Sequence, residues 1–338
     1  MKLALATVLV LLATPSFACS VPVFRYALEH WAADAYQVEI AHRGALTEAD
    51  AALVKRLSEA KQTNIAVKLM DSSDALPRVI VKHPSSLSQP REVWSAPLTA
   101  ATVEAILDSP MRREISEKLG SGDSAVWVLI ESGDKAKDEA VVQLLEQELT
   151  RLAETMALPK LDDQDIKKGL VSVPDDGLRL SFPLLRLARD NSAEQFLIQT
   201  LLATEPDLRD VHEPMVFPIF GRGRVLYGLL GKGIRADNLG HAADFLIGSC
   251  SCQIKEQNPG VDLVMTADWQ KLLKVDAPPT EELPKLSDIE GLKPIIVPIP
   301  QRRMATQPGA TKSAVPVWVV GIGVGLVVLL LRMWRSAK

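Results

Sequence analysis

Cysteine is almost missing from this chain. Only Cys19, Cys250 and Cys252 occur in 338 residues, too few for a fold held together by disulfides. Histidine is nearly as scarce. His30, His42, His83, His212 and His241 show no HxxxH spacing, so nothing supports a zinc hydrolase. The runs FGRGR and LLGKGI invite comparison with a phosphate loop, but GxxxxGK[ST] requires a glycine where Leu226 stands and a hydroxyl where Gly233 stands. No GxSxG is present to form a hydrolase nucleophile elbow. The aspartates of KLDDQDIKKG are not followed by the glycine and closing glutamate of an EF-hand. Basic charge is not in excess either. The formal net charge is −4, which argues against a nucleic-acid partner. No catalytic set and no cofactor motif remains after these exclusions.

What is there begins at the two ends. MKLALATVLVLLATPSFA opens with Lys2, runs apolar from Leu3 to Ala13, and places small residues at Ser16 and Ala18. Residues 1–18 read as a secretory signal peptide cut after Ala18. The cut makes Cys19 the new N-terminus. Ser16 and Phe17 match a lipobox poorly, so the expectation is an ordinary cut rather than lipidation of Cys19. At the other end, VPVWVVGIGVGLVVLLL (Val315–Leu331) has no charge and covers about 25 Å as a helix. Met333 and Trp334 extend it, Arg332 is able to snorkel, and Trp318 and Trp334 suit the two membrane interfaces. A single transmembrane helix over 315–334 is expected, in contact with membrane lipid. An exported N-terminus then leaves 335–338 in the cytoplasm and the body in the periplasm of a bacterial inner-membrane protein. Gly321 and Gly325 make a GxxxG step, which permits close packing of two such helices. Residues 277–314, rich in proline and without sustained period, read as an extended stalk.

Between the ends, strand and helix signals alternate. YQVEIA from Tyr36, NIAVKLM from Asn64 and RVIVK from Arg78 read as strands. Thr47 with Asp50 is a capping-box variant opening a helix that carries Leu53, Val54 and Leu57 on one face. Ser109-Pro110 starts another helix and Gly120 ends it. AVWVLIE from Ala125 is nearly continuous in apolar residues, as in a strand covered on both faces. Gly133-Asp134 then turns into a long helix with Val141, Val142, Leu145, Leu149, Leu152 and Met156 on its buried stripe. FPLLRLA from Phe182 is a strand, Asp190 begins a turn, and Glu194 to Leu202 is a helix. MVFPIF and VLYGLLGKGI flank Gly221-Arg222-Gly223-Arg224 as a hairpin. Asp237 is expected to cap the next helix, and NPGVD to turn with Pro259 and Gly260 at its centre. A shift of 56 residues places Asp134 on Asp190, a weak sign of repetition. The fold class expected is α/β: a mixed-sheet sandwich with an N-terminal lobe over 19–160 and a C-terminal lobe over 161–276.

From Phe182 the order is strand, helix, strand, hairpin strand, helix. Pro214 precedes a strand, a glycine-rich turn follows Phe220, and Gly231 and Gly233 come before an amphipathic helix. This stretch resembles the C-terminal half of the thioredoxin fold. The resemblance implies a CxxC after the first strand, but Arg189-Asp190-Asn191-Ser192 stands there, so oxidoreductase activity is not carried over. Over most of the chain, the segments ACSVPVFRYALE, AVWVLIESGDKAKDE, FGRGR and CSCQIKEQNPGVDL resemble an uncharacterised family of exported bacterial proteins with a C-terminal membrane helix. That resemblance implies no activity.

Three readings of the thiols stand side by side. Cys19 bonds Cys250 or Cys252 and pins the N-terminus; Cys250 and Cys252 form a strained redox pair; or two or three thiolates hold a soft metal such as Cu(I). Arg222 and Arg224 are expected at a basic tip that meets an anion or a partner. The functional expectation is a membrane-anchored, non-enzymatic module that binds a protein partner in the cell envelope. The alternative is a thiol-redox or metal-handling protein using Cys250 and Cys252 with Cys19.

Overall fold

The computed structural model describes residues 19–73, 76–84, 91–172, 178–250 and 255–273. The expected signal peptide, Cys252, the stalk and the 315–334 span lie outside them. Among the described residues no helix is long and apolar enough to cross a membrane.

The chain builds two sheets that share a strand order. A short helix α1 (Val23–His30) leads into β1 (Tyr36–His42), α2 (Glu48–Ser58), β2 (Ile65–Asp71), β3 (Arg78–Lys82), β4 (Glu92–Pro97) and α3 (Ala100–Leu107). These four strands form a sheet of order β2-β1-β3-β4. β2 runs parallel to β1, while β3 and β4 are antiparallel additions. After α4 (Pro110–Gly120) come β5 (Val126–Ile130), α5 (Lys135–Thr155), the short α6 (Asp163–Lys167), β6 (Leu184–Leu187), α7 (Gln195–Leu202), β7 (Met215–Phe220), β8 (Arg224–Val225) and β9 (Leu229–Leu230), followed by α8 (Ala236–Ile247). β10 (Val261–Asp262) and α9 (Trp269–Leu273) close the described chain. The second sheet has the order β10-β8-β7-β5-β6, with β9 also on β7. β6 is parallel to β5, and β7 is antiparallel to it. In each sheet, therefore, a strand–helix–strand unit is parallel and two antiparallel strands follow on the far side of the first strand.

Local chemistry starts these elements as the sequence indicates. The Thr47 hydroxyl accepts from the Asp50 N–H at 3.1 Å, and Ser109 accepts from the Arg112 N–H at 3.2 Å. Asp134 accepts from the Ala136 and Lys137 N–H groups and caps α5. Asp237 does not cap α8. Arg235 is its N-cap residue, without a side-chain cap, and Asp237 sits in the first turn. There its carboxylate suits the positive helix end. Strand β4 and helix α3 are additions to the sequence reading. EVWSAP lacks a clean alternation, and it is antiparallel pairing with β3 that makes it a strand.

The second sheet is covered on both faces, as the AVWVLI run implies. Trp127 and Leu129 point into a core with α1, α5 and α8, while Val126, Val128 and Ile130 point into another with α4 and α7. Tyr36, Val38 and Ile40 of β1 face a third core that includes Val103, Ile106 and Phe196. Mixed sheets in an α/β arrangement are thus present. A division at residue 160 does not describe them. It would separate β5 from both its neighbours, whereas the two strand sets part between α3 and β5. The shared strand order matches β1 with β5, which the 56-residue shift of Asp134 onto Asp190 does not follow.

Candidate functional site

The parallel pair β5 and β6 ends at an open cleft of about 590 Å³. Crevices beyond the carboxyl ends of parallel strands are the usual ligand sites of α/β sheets. Here the chain leaves β5 through Glu131-Ser132-Gly133-Asp134 and enters α5. Gly133 has φ 91°, which lets the turn reverse tightly. Buried Asp138, in the first turn of α5, holds the loop. It accepts from the Ser132 N–H at 2.8 Å, the Ser132 hydroxyl at 2.9 Å and the Gly133 N–H at 3.0 Å. The Ser132 oxygen in turn accepts from the Asp134 N–H at 3.1 Å. Across the cleft, Arg186 of β6 donates to Glu131 and Glu139, both at 2.7 Å. Those bonds, Glu139 foremost, raise the guanidinium pKa above its ordinary value. Arg189 donates to the Val211 carbonyl at 2.7 Å. Among the described residues no histidine or cysteine lines the cleft. The Ser132 hydroxyl is committed to the Asp138 carboxylate.

The thiols lie elsewhere. The segment from Cys19 runs antiparallel to the end of α8: Pro22 bridges Ser249, the Val23 N–H donates to the Gly248 carbonyl at 3.0 Å, and the Cys250 N–H to the Val21 carbonyl at 2.9 Å. Cys19 and Cys250 are both buried in the core beside α8, and no disulfide joins them. Burial, helped by the nearby Asp165 charge, raises the Cys19 thiol pKa, against an opposing hydrogen bond with the Val21 backbone. Cys252 lies outside the described residues. Among the described residues no group of three His, Cys, Asp or Glu side chains is arranged to hold a metal ion.

Arg222 and Arg224 do not form a basic tip. Arg222 donates to the Leu28 and Glu29 carbonyls at 2.8 and 2.9 Å, closing the last turn of α1. Arg224 is buried, with its guanidinium 5.9 Å from the Trp31 ring centre. It donates to the Pro259 and Asn258 carbonyls and to Asp262 at 3.1 Å. Asp262 also accepts from the Asp34 N–H at 2.7 Å and from Lys255. Lys255 further meets Asp34 at 2.8 Å and the Ala32 carbonyl at 2.6 Å. The hairpin brings these charges inward because β10 pairs with β8 and closes over them. The Pro259-Gly260 turn makes this possible. Gly260 has φ 113°, and a Cβ there would lie 2.4 Å from the Val225 carbonyl oxygen.

Half-buried His30 and buried His83 are each tied to a backbone carbonyl. His30 donates to the Leu170 carbonyl at 3.0 Å, and His83 to the Ala203 carbonyl at 3.0 Å. His212 and His241 are exposed. Ser132, Asp138, Arg186 and Arg189 were not singled out from the sequence. Asp134 was visible as a helix cap, but only the parallel pairing of β5 with β6 shows that two distant loops share one cleft. The chain matches no protein-family model and no curated protein.

Proposed function

We propose that this protein is an exported, membrane-tethered binding module of the bacterial cell envelope. Its body would dock a protein partner at the cleft beyond β5 and β6. The observation that carries the reading is the polar loop Ser132-Gly133-Asp134-Lys135 at the head of α5. The path β5-α5-β6-α7-β7-β8-α8, with strand order β8-β7-β5-β6, supports a thioredoxin-like reading of the second sheet. It begins at β5, one strand earlier than the sequence resemblance from Phe182 implies. In that frame the loop after the first strand is where the dithiol belongs, and Ser132 to Lys135 occupy it. The first sheet, β2-β1-β3-β4, repeats the order, and its corresponding loop from Arg43 to Leu46 is equally free of cysteine. A fold with its redox centre replaced but its cleft preserved is suited to recognition. The signal peptide, stalk and membrane span expected from the sequence support tethering. The thiol-redox alternative is less favoured, since Cys19 is buried with its thiol pKa raised, the opposite of a reactive thiolate.

The test places a photoreactive amino acid at Arg189 in the full-length protein and, as a control, at His241 on the exposed side of α8. A discrete protein adduct at Arg189 alone is expected in native membranes. Equal labelling at both positions, or none, removes the cleft as docking site. Peptide mapping without reduction is done on the same material. A Cys250–Cys252 bond that opens under mild reductant would move the redox alternative to first place.

A further inference from the structure

The geometry points to a specific form of docking, and we propose that β6 accepts an extended, lysine- or arginine-bearing segment of the partner as an added strand. This rests on the binding reading above and names its ligand. Among the described residues β6 is the end strand of the second sheet. The Trp127 N–H donates to the Pro183 carbonyl at 2.8 Å and the Glu131 N–H to the Leu187 carbonyl at 3.0 Å. In such a parallel ladder the odd-numbered residues bond to β5, and Leu184 and Arg186 turn their N–H and C=O groups outward. An open edge of this kind is a template for strand addition.

Two clefts extend the edge into a groove. The cleft already described lies at the carboxyl end of β6. A second, of about 560 Å³, lies at its start between Leu180–Leu184 and the C-terminal half of α5. α5 therefore walls one side of the whole strand. The second cleft has apolar surface from Leu149, Phe182 and Leu184, and among the described residues Glu146 and Glu154 are its only charged groups. Both glutamates are exposed and neither has an ion-pair partner among the described residues. At the other end, Arg186 is neutralised by Glu131 and Glu139. The uncompensated charge at the start of the groove is negative. A segment with alternating apolar and basic side chains matches both the pleat and the charge, giving main-chain bonds to the edge and cations to Glu146 and Glu154.

The probe is a labelled octapeptide of alternating valine and lysine, titrated by fluorescence anisotropy against the full-length protein in detergent micelles. Comparison peptides carry glutamate in place of lysine, or N-methyl groups on alternate amides. Binding of the first peptide alone is expected. Leu184→Pro removes an outward N–H while sparing the ladder to β5, and should weaken binding about tenfold or more. Because that variant also touches partly buried packing, Glu146→Lys with Glu154→Lys serves as a second. It changes only exposed positions, and a similar loss is expected with an unchanged urea midpoint. Equal binding of the N-methylated peptide overturns strand addition, and so does indifference to both variants. A photoreactive residue at Thr150 that cross-links two copies of this chain instead of a partner overturns the proposed occupant. Failure of the octapeptide with a retained adduct at Arg189 sinks the groove alone, whereas loss of both sinks the binding reading as well.

Discussion

At the scale of single residues, the strongest local commitments are charges that have been buried and fully answered. Asp262 is 4 % exposed and serves Arg224, Lys255 and the Asp34 N–H at once. The Tyr36 hydroxyl adds a bond to its carbonyl at 2.6 Å, and burial, reinforced by the charges of Asp262 and Asp34, raises that phenol's pKa. Desolvating such a set is costly, but each charge has a partner, so removing one partner is costlier than never having buried the set. Asp262→Asn should therefore destabilise by about 3–5 kcal/mol, read as the shift in urea unfolding free energy of the full-length protein. A loss under about 1 kcal/mol would show that Asp34 and the carbonyls alone suffice for the two cations. On the first sheet, Glu39 is a smaller case. Burial works against its ionisation, yet hydrogen bonds from Lys82 and Lys68 outweigh this and lower its pKa.

At the scale of elements, α5 and the loop before it form one unit. Asp134 is an exposed N-cap, and Asp138 is a buried acceptor for three donors of that loop. The two carboxylates both favour the helix start, but they differ in what their loss leaves behind. Without Asp134, water reaches the N–H groups. Without Asp138, the Ser132 and Gly133 N–H groups lose their acceptor in a partly closed loop. Asp134→Ala should cost about 1 kcal/mol and Asp138→Ala about 2–3 kcal/mol, measured by the same urea titration. The reverse order would mean that the loop relaxes freely and that its shape is not set by Asp138.

At the scale of the whole molecule, the first sheet is joined to the second by buried polar ties as well as by apolar contact. Buried Arg112 of α4 donates to the Ala105 and Ile106 carbonyls at the end of α3 and to the Val264 carbonyl. Burial lowers its pKa to about 10, still charged at neutral pH. His83, just past β3, reaches the Ala203 carbonyl beyond α7. It is 1 % exposed, and its Nδ1 has no hydrogen bond among the described residues. Burial lowers its pKa below 6.5, with Arg91 and Arg209 adding to the effect against the opposing Ala203 bond. The unfolded chain then takes up this proton at a higher pH than the folded one. The contribution of His83 to stability is whole above about pH 6.5 and is lost as the pH falls, by at most about 1.4 kcal/mol per pH unit. His83→Asn should flatten the fall of the unfolding free energy between pH 7 and pH 5. An unchanged slope would assign the acid sensitivity to other groups.

The sequence alone determined what depends on neighbours along the chain. Helix starts at Thr47, Ser109 and Asp134 are legible because a cap needs only residues within one turn. The doubly covered strand AVWVLI is legible because burial on both faces removes polar alternation. The expected signal peptide and membrane span rest on the same kind of local pattern. Tertiary structure decided which strands are neighbours, and with that nearly everything about the site. The parallel pairing of β5 with β6 gathers Glu131, Ser132, Arg186 and Arg189 from loops more than fifty residues apart, as in the Arg186–Glu131 bond. The pairing of β10 with β8 turns Arg224 from an expected surface charge into a buried one. Arginine has no local signature for its final partner. Its long side chain and five donors are satisfied equally well by water or by whichever carbonyls and carboxylates the fold brings close, and only the path of the sheet settles which.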